Sequence, residues 1–331
     1  MNMGYKRQDP VMHKNSSVLL SFTPPHADDA IRIWNAASHT HYPINKRFLS
    51  YNLIPSTGER IEGRIATRDR KAVGFVLACA FTDNPLTTLG WISAIAVEPA
   101  AQRQGIGSDL LTWAEGWLKE SGCKKIRLGG NYRPFLPGLP YVMGEHADFF
   151  QRHGYKLSAD QPYEYDIARS LKDYKSLYPR PSHADLTPMQ PGEEQLFLDF
   201  MHREYPGRWE LEARDFVKNG ERASDILLLR VQGDVQGFCR LTLEDSERPI
   251  ERFYPQRLSK PWGQLGALGL SKAVRGQGLG GYLIDAAALH MKSLGLDGCV
   301  IDWTSLVSLY GKFGFKIYNQ YISLFKVLQD Q

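Results

Sequence analysis

Apolar and polar positions run through the same four-part order twice along this chain. A strand-like apolar run comes first, GWISAIAV at 90–97 and QLGALGLS at 264–271. A segment with helical apolar spacing follows, GSDLLTWAEGWLKES at 107–121 and GGYLIDAAALHMKSL at 280–294. A second strand pattern comes next, KKIRLG at 124–129 and GCVIDWT at 298–304, and then a short helix closed by an aromatic-flanked glycine, DFFQRHGY at 148–155 and SLYGKFGF at 308–315. An ordered repeat of this kind predicts two copies of one architecture. Upstream, the first copy adds strands over 17–23, 59–66 and 72–82 and a helix over 28–38. The second adds a helix over 191–205, with Pro191 at its start, and a hairpin of 224–231 and 235–244 around Gln232-Gly233-Asp234.

The spacing separates the copies. From Gly105 to Gly154 is 49 residues, but from Gly278 to Gly314 only 36. The surplus falls in GNYRPFLPGLPYVMG at 130–144, whose Pro, Gly and aromatic content reads as a rigid loop. Residues 174–188 carry three prolines and few apolar positions, which places the boundary near residue 180 and gives domains of 1–180 and 181–331. Two units of this size each suffice to bury a core.

Composition narrows the function. The 331 residues carry a formal charge of +4, with acids and bases interleaved. That suits a small anionic ligand and argues against bulk nucleic-acid binding. Cys79, Cys123, Cys239 and Cys299 form no C-x-x-C pair and read as buried thiols, pointing to a reducing cytoplasm. The N-terminal residues 1–17 are polar and do not read as a signal peptide, and no apolar run approaches membrane-spanning length. No metal-ligand spacing occurs. His153 and His290, both within helices, read as packing or surface residues.

Each first strand meets its helix through a glycine-rich turn. Such a turn gathers backbone N–H groups at a helix N-terminus and makes an anion site, as for a pyrophosphate. The dinucleotide fingerprint fails, because its third glycine falls on Leu110 and Leu283, and no Gly-Lys-Ser/Thr of a P-loop follows. Both turns match Q/R-x-x-G-x-G/A, through Gln102, Gly105 and Gly107 and through Arg275, Gly278 and Gly280. Here the chain resembles the GNAT superfamily of N-acyltransferases, over roughly 17–168 and 184–328. The resemblance implies an α/β (α+β) protein with two such folds in tandem, each a mixed, mostly antiparallel sheet flanked by helices. It implies acetyl-CoA as co-substrate, its pyrophosphate held by the loops Gln102, Arg103, Gln104, Gly105, Ile106, Gly107, Ser108 and Arg275, Gly276, Gln277, Gly278, Leu279, Gly280, Gly281. It implies that each preceding strand splays from its neighbour and pairs with the pantetheine arm, at Ile95 and Val97 and at Leu268 and Leu270. A backbone N–H there also serves as an oxyanion donor.

Many members donate a proton to the departing thiolate from a tyrosine four residues before the Gly-Phe. That position is Tyr310 in the second copy and Phe150 in the first, and phenylalanine cannot donate. The expectation is a catalytic C-terminal half with Tyr310 as acid, beside an N-terminal half that is non-catalytic or binds CoA. Asp302 is the candidate for binding or deprotonating the amine, and its other reading is a cap or turn residue. Trp303 stands where the family often has asparagine, which puts the usual local hydrogen bond in doubt and offers an aromatic wall to the substrate instead. In the extra loop, Tyr132, Arg133, Phe135 and Tyr141 are the candidate wall for a small amine, an amino sugar first. Two other readings are an acyl-CoA sensor without turnover and a protein or peptide acetyltransferase. A monomer or homodimer is expected, with no nucleic-acid or membrane partner.

Overall fold

The computed structural model describes residues 17–38, 41–81, 88–253, 258 and 260–328. The polar stretch 1–16 and Thr82, at the end of an expected strand, lie outside these residues.

The first half runs β1 (Val18–Ser21), α1 (Ala27–Ala37), α2 (Lys46–Asn52), β2 (Glu59–Arg68), β3 (Lys71–Phe81), β4 (Leu89–Val97), α3 (Ile106–Glu120), β5 (Lys125–Leu128), β6 (Leu139–Pro140), α4 (Ala147–Arg152), β7 (Lys156–Leu157) and β8 (Tyr163–Ser170). The second runs β9 (Ala184–Pro188), α5 (Glu194–Glu204), α6 (Arg208–Lys218), β10 (Ile226–Val231), β11 (Asp234–Thr242), β12 (Trp262–Leu270), α7 (Leu279–Ser293), β13 (Gly298–Thr304), α8 (Val307–Gly311), β14 (Lys316–Ile322) and β15 (Leu324–Val327).

Each half is a sheet between helical layers. In the first, Phe75 and Leu77 of β3 face α1 and α2, while Val76, Ala78 and Ala80 face α3. A strand covered on both faces reads as the continuous apolar run seen in β3 rather than an alternation. On α3, Ile106, Leu110, Leu111, Ala114 and Leu118 form the buried stripe. In the second half α7 covers one face, and α5 and α6 cover the other.

The halves exchange strands. The sheets run β1-β2-β3-β4-β5-β15-β7 and β6-β14-β8-β13-β12-β11-β10-β9. The C-terminal strand β15 thus lies between β5 and β7 of the first sheet, and β8 lies between β13 and β14 of the second. A cut near residue 180 therefore does not separate the sheets. The proline-containing connection is also more structured than its composition suggests, since it buries Tyr174 and Ala184 and supplies β9.

One device recurs in both sheets. Parallel pairing of β4 with β5 ends at Ile92↔Leu128, and that of β12 with β13 ends at Gln264↔Val300. Immediately beyond, β4 bulges at Ser93, where Leu77 pairs with Ala94 and Ala78 with Ile92. In the same way β12 bulges at Ala267, which takes φ 46°. A bulge bends its strand and breaks the ladder. Among the described residues, 93–97 and 265–270 are left without a parallel neighbour, and a V-shaped cleft opens in each sheet. Among the described residues no helix is long and apolar enough to cross a membrane.

Candidate active site

The two glycine turns share one backbone. Arg103 and Gly105 take φ 60° and 86°, and their counterparts Gly276 and Gly278 both take 80°. Glycine suits such positions, and a non-glycine residue there is strained. The glutamine and arginine side chains of the motif brace the turn. Gln102 Nε2 donates to Val97 O at 3.0 Å, and Gln104 Nε2 to Ala100 O at 3.1 Å. In the second turn Arg275 Nε and Nη2 donate to Leu270 O at 3.3 and 3.2 Å, and Gln277 Nε2 to Ala273 O at 3.0 Å. Ile106 and Leu279, at the helix starts, are core residues. What remains for an anion is the backbone of the turn and, in the first half, the exposed Arg103, which has no ion pair among the described residues.

The clefts differ in what fills them. The first is a cavity of about 650 Å³ running from Arg103, Gly105 and Ser108 along Ile95 and Val97 to Ser38. Ser38 Oγ is buried in it without a hydrogen-bond partner among the described residues. A freed strand edge, an anion turn with a spare cation and an unpartnered hydroxyl fit an elongated ligand such as acyl-CoA. In the second cleft, Tyr205 Oη donates to Leu270 O at 2.7 Å. A side chain at Gly281 would collide with the ring of Tyr178, which stacks on Phe313 at 5.5 Å between centroids. Asp285 of α7 holds Tyr178 there. Its carboxylate accepts from Tyr174 Oη, Ser176 Oγ and the N–H groups of Leu177 and Tyr178 at 2.7–3.3 Å. The N-terminal turn of α7 is therefore covered at Gly281 by that ring.

A second cavity, of about 270 Å³, lies between the halves on the far side of the β12 bulge. Tyr132 and Arg133 from the extra loop line it, together with Gln264, Ala267, Asp302 and Trp303 from the second half. Arg208 stacks between the rings of Tyr132 and Trp303, 5.2 and 4.3 Å from their centroids. Asp302 Oδ1 accepts from Gln264 Nε2 at 2.7 Å. Phe135 and Tyr141 do not join this wall. Phe135 is core, against Trp34 and Phe48 at 5.2 and 5.4 Å, and Tyr141 is exposed beside Tyr163.

Tyr310 is 5% exposed, with its ring against Phe315, and its hydroxyl has no hydrogen-bond partner among the described residues. Burial pushes the hydroxyl well above its usual range, so it stays protonated at neutral pH. Phe150, its counterpart, is buried against Phe149 and Tyr155. Asp166 carries no motif. From the exchanged β8 it accepts Trp303 N–H at 3.0 Å, Asn319 Nδ2 at 3.1 Å and Tyr321 Oη at 2.6 Å. The first of these bonds holds Trp303 at φ 49°, a strained conformation for a bulky residue. No cluster of three or more metal-ligating side chains is present among the described residues.

The profile described as "Acetyltransferase (GNAT) domain" matches residues 62–157, and that described as "Acetyltransferase (GNAT) family" matches residues 194–315. The chain belongs to the GNAT family. It carries two acetyltransferase domains in tandem, of a family that uses acetyl-CoA as co-substrate. No curated protein matches it in sequence. Among solved structures it is similar to the GCN5-related glucosamine N-acetyltransferase region of a fungal multi-domain GH3 β-N-acetylglucosaminidase, at TM-score 0.83 and 21% identity over 94% of this GNAT chain and 38% of that one. It thus spans well under half of the fungal chain. A GCN5-related N-acetyltransferase from Sphaerobacter thermophilus matches at TM-score 0.66 and 15% identity, covering 97% and 98% of the two chains. A tandem GNAT protein from the clavulanic acid biosynthesis pathway matches at 0.67 and 13%, covering 96% and 100%. At these identities the likeness shows the fold.

Proposed function

We propose that this GNAT protein transfers an acetyl group from acetyl-CoA to the primary amine of a small polar acceptor held between the halves, with the chemistry in the second half. The observation that carries the reading is the convergence of Asp302, Trp303, Tyr132 and Arg133 on one cavity bordered by the bulge residue Ala267. Acetyl-CoA, when bound, supplies an electrophilic thioester. Ala267 turns the backbone of β12 where that thioester is expected, so that a strand N–H can polarise its carbonyl. Asp302 Oδ2 takes the ammonium proton, while its Oδ1 is fixed by Gln264. Tyr310 Oη delivers its proton to the departing thiolate sulfur. The first cleft, with Phe150 in place of a donor, holds acyl-CoA without turnover.

A cavity of only about 270 Å³, lined by aromatic side chains from both halves, favours a small acceptor over a peptide. The stacked Tyr132, Arg208 and Trp303 suit a sugar ring, and the similarity to a glucosamine N-acetyltransferase region points the same way. The test is CoA release from acetyl-CoA across amino sugars, polyamines, amino acids and peptides. Tyr310→Phe is expected to lower kcat about 100-fold or more with little change in the acetyl-CoA KM. An unchanged kcat overturns the assignment.

A further inference from the structure

The cavity between the halves contains more positive charge than its own acids neutralise. Two of its arginines are ion-paired, Arg240 with Glu221 at 2.6 Å and Arg208 with Glu212 at 2.7 Å. Arg133, Arg248 and Arg252 line the same cavity, and none has a carboxylate within ion-pair distance among the described residues. Arg248 is the most demanding of them. It is 7% exposed, and its hydrogen bonds go to neutral acceptors, from Nε to Thr242 Oγ1 at 2.7 Å and from Nη2 to Gln264 Oε1 at 2.6 Å. A buried guanidinium without an ion-pair partner is costly. Burial, with Arg240 and Arg252 adding repulsion that outweighs the attraction of Asp302, pulls it down to about 9. Arg252 rests on Phe253 and Arg133 on Tyr51, contacts that position the groups without neutralising them.

The same cavity also holds carboxylates bound to neutral donors. Asp302 accepts from the Gln264 amide at 2.7 Å, and Asp215 from the Thr57 hydroxyl at 3.0 Å. Tyr132 Oη lines it too, buried and without a hydrogen-bond partner among the described residues. One pocket therefore offers unpaired arginines for an oxyanion and unpaired acids for an ammonium, with Gln264 bridging Arg248 to Asp302.

We infer that the acceptor is an amine that also carries an oxyanion group, a carboxylate or a phosphate, and that Arg248, with Arg252, binds this group while Asp302 receives the amine. Guanidinium groups match both oxyanions in a planar, bidentate way, and such charge-assisted bonds are the strong ones. The inference rests on the proposal that this cavity is the acceptor site. It makes Arg248 a specificity-determining residue.

Matched acceptors test it. Glucosamine, glucosamine 6-phosphate and muramic acid present one amine with no anion, a phosphate and a carboxylate. In the CoA-release assay, kcat/KM for one of the two anionic amines is expected to exceed that for glucosamine at least tenfold. Which of them does so identifies the oxyanion. Arg248→Gln is expected to cut that preference on the order of 10- to 100-fold, mainly through KM, and Arg248→Lys to restore part of it. Arg252→Gln, at a half-buried position, should shift the preference the same way by less, which guards against misfolding of the Arg248 variants. Equal use of the three amines, with the same ratios in Arg248→Gln, overturns the inference and leaves the proposed activity standing. If no amine releases CoA, that activity fails, and calorimetric titration with glucosamine 6-phosphate and muramic acid decides the anion site alone. Binding that is lost in Arg248→Gln supports the site, and absence of binding overturns it.

Discussion

Asp166→Asn probes the site through stability, with no substrate needed. Asp166 is 2% exposed, and burial, with the charge of Asp302 second, pushes its carboxyl up to about 7 in spite of three hydrogen bonds that favour the ionised form. In the unfolded chain an aspartate titrates near ~3.9. Between these values the folded chain holds a proton that the unfolded chain has released. The folded state therefore loses stability as pH rises through the window, by about 1.4 kcal/mol per pH unit, and the loss is complete once pH passes the folded value. From about pH 5 to about pH 6.5 this single group removes roughly 2 kcal/mol. Asparagine at 166 cannot titrate. Equilibrium urea unfolding of both proteins across that range should give a stability that falls about 2 kcal/mol more steeply in the wild type. The comparison is one of slopes, so a constant offset from altered hydrogen bonding drops out. Parallel pH profiles would refute the reasoning. Asp302→Asn removes the second cause and should move the window toward acid.

Two further outcomes follow from packing. Tyr178→Ala removes the ring from Gly281 and is expected to lower the acetyl-CoA KM a few-fold to tenfold, the scale of one aromatic stack; Gly278→Glu should abolish the gain, and an unchanged KM in Tyr178→Ala rules out gating by that ring. Leu324→Ala, at a fully buried position on the exchanged β15, should cost about 2–5 kcal/mol. Hydrogen exchange should then show protection lost in β5 and β7, the neighbours of β15, before β13.

Local pattern carries the elements that bury one clear stripe or run. The two glycine turns, the helices after them and the hairpin at Gln232-Gly233 all show it. Two helices escaped the pattern for a physical reason. α2 is seven residues long, and α6 places only Ala213, Asp215 and Phe216 in the interior, too few to set a period. Of the four candidates in the extra loop, Tyr132 and Arg133 reach the cavity while Phe135 turns into the core. All four lie in one Pro- and Gly-rich segment, where no periodicity tells an inward ring from an outward one. The arginines of the cavity come from α6 (Arg208), β11 (Arg240) and the β11–β12 connection (Arg248 and Arg252) and form no motif, so only the fold assembles them.

The exchange of β8 and β15 is the least legible feature and the one that couples the halves at the site. A strand's sequence records which of its faces is buried, but an equivalent edge existed in either sheet, so nothing local selects the partner. Crossing over places Asp166 of β8 beside Trp303 of the paired strand. The backbone of Trp303 in the second half is thus held by a carboxyl that precedes it by 137 residues, while its ring meets Arg208, which donates to the carbonyls of Gly130 and Asn131 in the extra loop of the first half. The proposed acceptor wall is then a property of the pair. A half cut free near residue 180 would keep its glycine turn and lose an interior strand of its sheet, and the second half would also lose Tyr132, Arg133 and the loop carbonyls that orient Arg208. Fusion of the two copies therefore does more than tether two clefts: it builds the cavity proposed to hold the acceptor.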